Sequence, residues 1–104
     1  QKSKKQTMNK VTNPKVKLLA RGKSYVAKEM AASAGVFMPK HLASGESILV
    51  VQQGVCIIHL ENSTQTLEEG DVFIVPANVK HQIETKEEFK AVHIMPQDIR
   101  FDFF

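Results

Sequence analysis

Short apolar runs alternate with turn-forming residues along most of this chain. The runs span three to seven residues, and Gly, Pro, Asn, Ser or charged residues separate them. Apolar runs of this length with such boundaries are typical of β-strands. The pattern predicts strands at 16–20, 25–30, 36–38, 41–43, 47–53, 55–60, 65–67, 73–75, 82–85 and 89–95. About ten short strands at this spacing indicate an all-β barrel or sandwich.

One stretch offers a competing prediction. Residues 30–34 are rich in alanine, which favours a helix by intrinsic propensity. The stretch is short, has no N-cap residue, and is followed directly by Gly35. We therefore expect an all-β fold without a helix there.

Three of the strands are apolar on both faces. An antiparallel sheet that faces water should alternate apolar and polar residues, but residues 48–51, 55–58 and 72–75 do not. One face can fill the interior, and the other must also be covered. We predict a homodimer through sheet packing, with the N-terminal arm or the C-terminal tail as the alternative cover. Three phenylalanines in the last four residues should dock that aromatic tail on a sheet of the same chain or of its partner.

Charge divides the chain into an arm and a body. With 104 residues and a pI near 9.1, the chain is long enough for one domain. We predict a flexible basic arm at residues 1–13 and a single domain at residues 14–104. Much of the basicity lies at the N-terminal end, in Lys2, Lys4, Lys5, Lys10, Lys15 and Lys17. A basic groove on the folded body is therefore not expected, and nucleic acid is an unlikely partner.

Composition also bears on location. No apolar run is long enough to cross a bilayer, so we expect no membrane insertion. The single cysteine, Cys56, allows no internal disulfide. The cytoplasm is the default location. A signal peptide removed before Gln1 is the open alternative, since the sequence does not begin with methionine.

A distinctive motif lies at residues 67–81. Gly70 begins a tight turn, Pro76 ends the following strand because it lacks an amide hydrogen, and a second turn leads to His81. Five residues separate Gly70 from Pro76, and four separate Pro76 from His81. This stretch resembles the second sequence motif of the cupin superfamily. Asn78 stands where that motif has its second glycine.

The upstream residues resemble the first cupin motif in spacing. Five residues separate Gly35 from His41, and six separate Ser47 from Gly54. Ala43 stands where the motif has its second histidine, and Ser47 where it has its glutamate. The chain thus resembles a small single-domain cupin (RmlC-like) with a degenerate first motif over residues 25–97. The resemblance implies a double-stranded β-helix, or jelly-roll barrel.

The resemblance also implies a metal site, of which only His41 and His81 remain. Imidazole and carboxylate ligands suit iron, manganese, nickel, copper or zinc. Two imidazoles alone make an incomplete set, and His93 or Glu46 is the candidate third donor. A bound transition metal and a metal-free site both remain open.

The pocket of the implied barrel gives the candidate site. Its expected lining is His41, Ala43, Ser47, Val51, Phe73, His81 and His93. For His93, in a mostly apolar strand, a structural role is the alternative. Cys56 should be a small buried hydrophobic residue, and His59 lies on the opposite face of its strand.

Two functions follow as hypotheses. The first is a protein that binds a small molecule in the barrel pocket, with His41 and His81 as polar anchors. The second is a metal-dependent cupin enzyme of the dioxygenase or isomerase type that uses the same two histidines. A metal-free enzyme with one histidine as general base is a variant of the second. Catalytic residues and the ligand are left unassigned.

Overall fold

Ten strands form two antiparallel sheets in the computed structural model, which describes residues 11–104. The first sheet contains β1 (Lys15–Arg21), β2 (Tyr25–Ala32), β4 (Ser47–Gln53), β7 (Val72–Val75) and β9 (Phe89–Pro96). The second contains β3 (His41–Ala43), β5 (Val55–Leu60), β6 (Thr64–Glu68), β8 (His81–Thr85) and β10 (Phe101–Phe103). The predicted all-β jelly-roll class is confirmed.

The chain crosses repeatedly between the sheets. Strand order is β1-β2-β9-β4-β7 in the first sheet and β10-β3-β8-β5-β6 in the second. Consecutive strands such as β3 and β4, or β7 and β8, therefore lie in different sheets. This exchange encloses one interior between two faces of inward-pointing side chains.

Alternation along the strands builds the core. In β4, Ser47, Leu49 and Val51 are buried between the sheets, whereas Ile48 and Val50 point outward and are half-buried. The largest fully buried side chains are Phe89, Leu49, Ile58, Val51, Thr85 and Cys56. Burying an aliphatic or aromatic side chain of this size stabilises the fold by roughly 2 kcal/mol. The expectation that Cys56 is buried is thus met, and burial raises its thiol pKa to about 12.

Two turns require an unusual backbone conformation. Gly54 joins β4 to β5 with φ of 85°, and a Cβ there would clash with the carbonyl oxygen of Glu88. Asn78 has φ of 62°, a left-handed conformation that asparagine tolerates better than most residues. Its amide donates to the carbonyl of Ala43 at 2.7 Å, which fixes the turn before β8 against β3.

The structure differs from the predicted strands in three places. Residues 36–38 form no strand, and Phe37 makes only isolated bridges to Val11 and Glu84. The alanine-rich stretch continues β2, because pairing with β9 supplies a partner for its backbone. The C-terminal tail, which the sequence places on a sheet without naming a strand, forms β10 and pairs with β3 of the same chain.

The N-terminal segment is described from Val11 onward. The predicted flexible arm falls mostly on residues 1–10, which lie outside the described residues. The amide of Thr12 donates to the carbonyl of Phe37 at 2.7 Å, so residues 11 and 12 lie along the 33–39 loop. Among residues 11–104, no helix has the length and apolar character needed to cross a membrane.

Candidate functional site

A cavity of about 350 Å³ lies between the two sheets. Most of its lining is apolar, and the aliphatic part of the lining consists largely of Met30, Met38, Leu49, Ile58, Ile83 and Met95. Cavities of this size and character are typical of small-molecule sites. Flexible methionine side chains adapt readily to the shape of a bound molecule.

Two histidines form the polar end of this cavity. His41 in β3 and His81 in β8 are directly opposite each other in the antiparallel register, so their side chains share the inner face. Their ring centroids are 4.4 Å apart with an interplanar angle of 66°. His41 and His81 are the one pair of residues that the register between β3 and β8 places opposite each other.

Backbone carbonyl groups orient both rings. Nδ1 of His41 lies 3.1 Å from the carbonyl oxygen of Pro39, and Nδ1 of His81 lies 3.1 Å from that of Val79. Because a carbonyl oxygen can only accept, each Nδ1 carries the hydrogen and donates it. Each neutral ring therefore retains an Nε2 lone pair, which can accept a hydrogen bond or bind a metal ion.

Burial lowers the pKa of two of the cavity histidines, His81 and His93. His81 is 5% exposed, and its pKa is lowered chiefly by burial, although the Val79 hydrogen bond opposes the shift and nearby His41 adds to it. Burial, followed by the positive charges of His41, His81 and Lys28, lowers the pKa of His93 to about 4. His93 is thus a neutral imidazole near pH 7, and its Nε2 lies 2.7 Å from Oγ of buried Ser47.

One charged side chain joins the lining. Lys28 lies on the inner face of β2, between buried Val26 and half-buried Met30, and opposite His93 in β9. The described residues that line the cavity include no aspartate and no glutamate. The charge presented to the cavity is therefore positive.

Aromatic rings of β10 cover the histidine end. The centroid of Phe101 lies 5.4 Å from that of His41, and the centroid of Phe103 lies 5.1 Å from it. Both phenylalanines line the cavity, although Phe103 is 64% exposed. The C-terminal strand thus forms part of the cavity wall nearest to solvent.

The structure brings together only part of the expected lining. His41, His81 and His93 line the cavity. Ser47 lies behind His93, and the remaining three expected residues contribute to the core or its edge and do not line the cavity: Ala43, Val51 and Phe73. His59 bonds to Glu84 at 2.9 Å and stacks on Phe37, away from the cavity.

Sequence reasoning missed Lys28 and the methionines of the lining. The alternation Val26, Lys28, Met30 places the lysine on the apolar parity of β2, and this signal was available in the sequence. Phe101 and Phe103 were expected to dock, but their place beside His41 follows from the β10–β3 pairing.

The donor set does not fit a tightly held metal ion. Ala43 offers no ligand atom, and the Ser47 hydroxyl is engaged with His93. Of the two candidate third donors, Glu46 is exposed and does not line the cavity, whereas His93 lines it but has its Nε2 hydrogen-bonded to Ser47. Within residues 11–104, no three His, Cys, Asp or Glu side chains are grouped so that they hold a metal ion. His41 and His81 remain a two-nitrogen site, which is short of the usual coordination.

Two antiparallel sheets enclosing a cavity, with histidines delivered by β3 and β8, define a small cupin-type jelly roll. Residues 27–100 match the AraC-like ligand binding domain, and the chain belongs to this family. A comparison with curated proteins gives no match.

Solved structures with a similar fold come from several bacteria. A cupin-like protein from Thermotoga maritima is 22% identical, with a TM-score of 0.77, over 86% of this chain and 74% of that one. A cupin superfamily protein from Desulfitobacterium hafniense is 22% identical, with a TM-score of 0.75, over 86% of this chain and 82% of its own. Salicylate 1,2-dioxygenase from Pseudoaminobacter salicylatoxidans, solved with gentisate, is 16% identical, with a TM-score of 0.76, over 85% of this chain and 28% of the enzyme. At these identities, the likeness concerns the fold alone.

Proposed function

We propose that this chain is a binding module for a small, mainly apolar organic molecule. The observation that carries the proposal is the cavity between the sheets, apolar along its walls and polar at His41 and His81. Burial of the ligand's hydrocarbon surface supplies the affinity, at roughly 25 cal/mol per Å² removed from water. The two Nε2 lone pairs orient the ligand, since each needs a hydrogen-bond donor once water is displaced.

The metal-dependent enzyme is the alternative that this proposal displaces. A transition metal with two imidazole ligands lacks most of the coordination energy of a complete site. Because Ala43 has no ligand atom and the Ser47 hydroxyl is bonded to His93, the metal ligands are limited to the imidazole nitrogens of His41 and His81. An organic ligand therefore accounts for the cavity better than a metal ion does. Metal content of the freshly purified protein separates the two functions.

Fluorescence of a neutral apolar probe, N-phenyl-1-naphthylamine, tests the proposal. The probe should bind wild-type protein with one site per chain and an enhanced, blue-shifted emission. Met30→Trp fills the cavity from its wall and should abolish binding. Glu29→Trp places the same side chain on the opposite face of β2 and should leave binding intact.

Two results would overturn the proposal. One is probe binding that survives Met30→Trp in a folded variant. The other is near-stoichiometric iron, manganese, nickel, copper or zinc in wild-type protein that is lost in the His41→Ala, His81→Ala double variant. The second result would establish the metal site instead.

A homodimer is the second part of the proposal. Six β-branched side chains form two rows across β9, β4 and β7 on the outer face of the first sheet, and we name them the aliphatic patch: Ile48, Val50, Val72, Ile74, Val92 and Ile94. Val72 is 60% exposed and Ile74 is 49% exposed, whereas the other four are half-buried. Contiguous apolar surface of this kind marks an interaction site.

A second copy of the chain is the proposed cover of the aliphatic patch. The C-terminal tail, one of the alternative covers, pairs with β3 in the second sheet and does not reach the patch. No charged side chain interrupts the two rows across these three strands. A flat, uncharged face can pack against an identical face around a two-fold axis.

A further inference from the structure

We infer that the cavity takes an organic acid, a molecule with an apolar body and one anionic group that pairs with Lys28. This inference rests on the proposed binding function and adds the chemical class of the ligand. It is carried by the sign of the charge in the cavity and by the surroundings of Lys28.

The cavity lining has a cationic side chain and no anionic one, although the domain around it carries both. All 11 acidic residues of the chain lie at Glu29 or later, whereas eight of its 14 basic residues precede position 24. Residues 14–104, which form the domain around the cavity, therefore carry all 11 carboxylate side chains and ten of the basic ones. None of these carboxylates lines the cavity, and Lys28 does.

Lys28 is held without a counter-ion. The ion pairs among residues 11–104 join Glu84 to His59 and to Lys86, and none involves Lys28. Its cross-strand neighbours are Leu18 and His93, neither of which carries a negative charge. The adjacent Glu29 points to the opposite face of the sheet, where it is paired with Lys17 in the register.

The position of this unpaired cation in a mostly apolar lining makes it a recognition element. Its ammonium group can donate a charge-assisted hydrogen bond to a carboxylate bound in the cavity. A ligand with an amine would instead meet a like charge. Met30, Leu49 and Met95 lie nearby in the lining and supply an apolar surface for the rest of an acid.

Three probes with the same eight-carbon chain and different charge test the inference by calorimetry at pH 8. Octanoate is the acid, octanamide its neutral counterpart and octylamine its cationic counterpart. We expect octanoate to bind about tenfold more tightly than octanamide, which corresponds to about 1.4 kcal/mol. Octylamine should bind more weakly than either.

Variants assign the preference to the lysine. Lys28→Met should remove the preference for octanoate while octanamide still binds, and Lys28→Arg should retain it. Lys17→Met, on the outer face of the neighbouring strand, should behave as wild type.

The outcomes separate the inference from the function on which it rests. Equal affinity of wild-type protein for octanoate and octanamide, or a preference that persists in Lys28→Met, overturns the acid inference and leaves the binding module standing. Failure of all three compounds and of N-phenyl-1-naphthylamine to bind overturns the proposed function itself.

Discussion

At the residue scale, His41 and His81 owe their orientation to the chain around them. Each Nδ1 donates to the carbonyl oxygen two residues earlier, and the cross-strand register brings the rings into contact. The hydrogen bond that orients each ring is thus made to the backbone and not to a side chain. Replacing one histidine should therefore leave the other in place.

Gly54 gives a stability prediction that separates steric clash from backbone strain. Gly54 and Gly35 both have positive φ, at 85° and 77°. A Cβ at Gly54 would overlap the Glu88 carbonyl oxygen, whereas one at Gly35 would meet no atom within 4 Å. We expect Gly35→Ala to lower the free energy of unfolding by about 1 kcal/mol and Gly54→Ala by about 3 kcal/mol or more. Urea unfolding of both variants measures the difference, and equal losses would contradict the clash.

His93 makes stability depend on pH. The folded protein holds the pKa of His93 at about 4, whereas the ordinary value is 6.5. The unfolded state therefore binds more protons as pH falls through this interval, and the free energy of unfolding decreases. We expect His93 to contribute a loss of about 3 kcal/mol between pH 7 and pH 4.

Two variants check the origin of this pH dependence by urea unfolding at several pH values. His93→Gln keeps a hydrogen-bonding group beside Ser47 and should reduce the decrease in the free energy of unfolding between pH 7 and pH 4. Ser47→Ala should lower the free energy of unfolding by about 1 kcal/mol at pH 7 and leave that decrease in place. An unchanged decrease in His93→Gln would show that another group causes it.

Motif spacing was sufficient to predict that His41 and His81 face the same interior, because turn geometry and strand register follow from local sequence. Lys28 was missed because a lysine within an apolar strand is recognisable only by its parity. Val51 and Phe73 point inward as expected, but they pack in or against the hydrophobic core and do not line the cavity. Which inward-pointing residues meet the core and which meet the cavity depends on strands distant in sequence, so one strand alone does not predict it.

At the element scale, β10 is a three-residue strand at a sheet edge. Within residues 11–104 it pairs with β3 alone, through Phe101, Asp102 and Phe103, and we therefore expect it to be loosely attached to the fold. Its position was not predictable from alternation, because three residues are too few to establish a period. The tail docks through backbone bonds such as that from the Phe104 amide to the Lys40 carbonyl, at 2.9 Å.

Hydrogen exchange should reveal local opening of β10. The Phe104 amide should exchange much faster than the Met38 amide, which donates to the Ile83 carbonyl beside the core. Adding N-phenyl-1-naphthylamine should slow exchange in β10, because Phe101 and Phe103 line the cavity that the probe fills. Equal protection of the two amides without the probe would contradict a loosely attached strand.

At the scale of the whole molecule, the aliphatic patch predicts self-association. In a two-fold interface each substitution occurs twice, so Ile74→Lys would bury two like charges near the same axis. We expect wild-type protein to be a dimer and Ile74→Lys a monomer by light scattering after size exclusion. Leu19→Lys, an equally drastic change at another exposed position on β1, should remain dimeric. A monomeric wild type would contradict the interface.

Apolar residues on both parities of β4 and β7 pointed to an outer face that needs a cover. The sequence did not distinguish the N-terminal arm, the C-terminal tail and a second chain as that cover. The pairing of β10 with β3 removes the tail from the alternatives, because it places the tail on the other sheet.

The central claim is that the space between the sheets is the ligand site. Methyl NMR of the methionines and isoleucines tests it most directly, with octanamide as the added compound. We expect shifts at Met30, Met38, Met95 and Ile83, which line the cavity, and none at Ile74 on the outer face. Shifts confined to Ile74 and its neighbours in the aliphatic patch, with the cavity methionines unchanged, would contradict it.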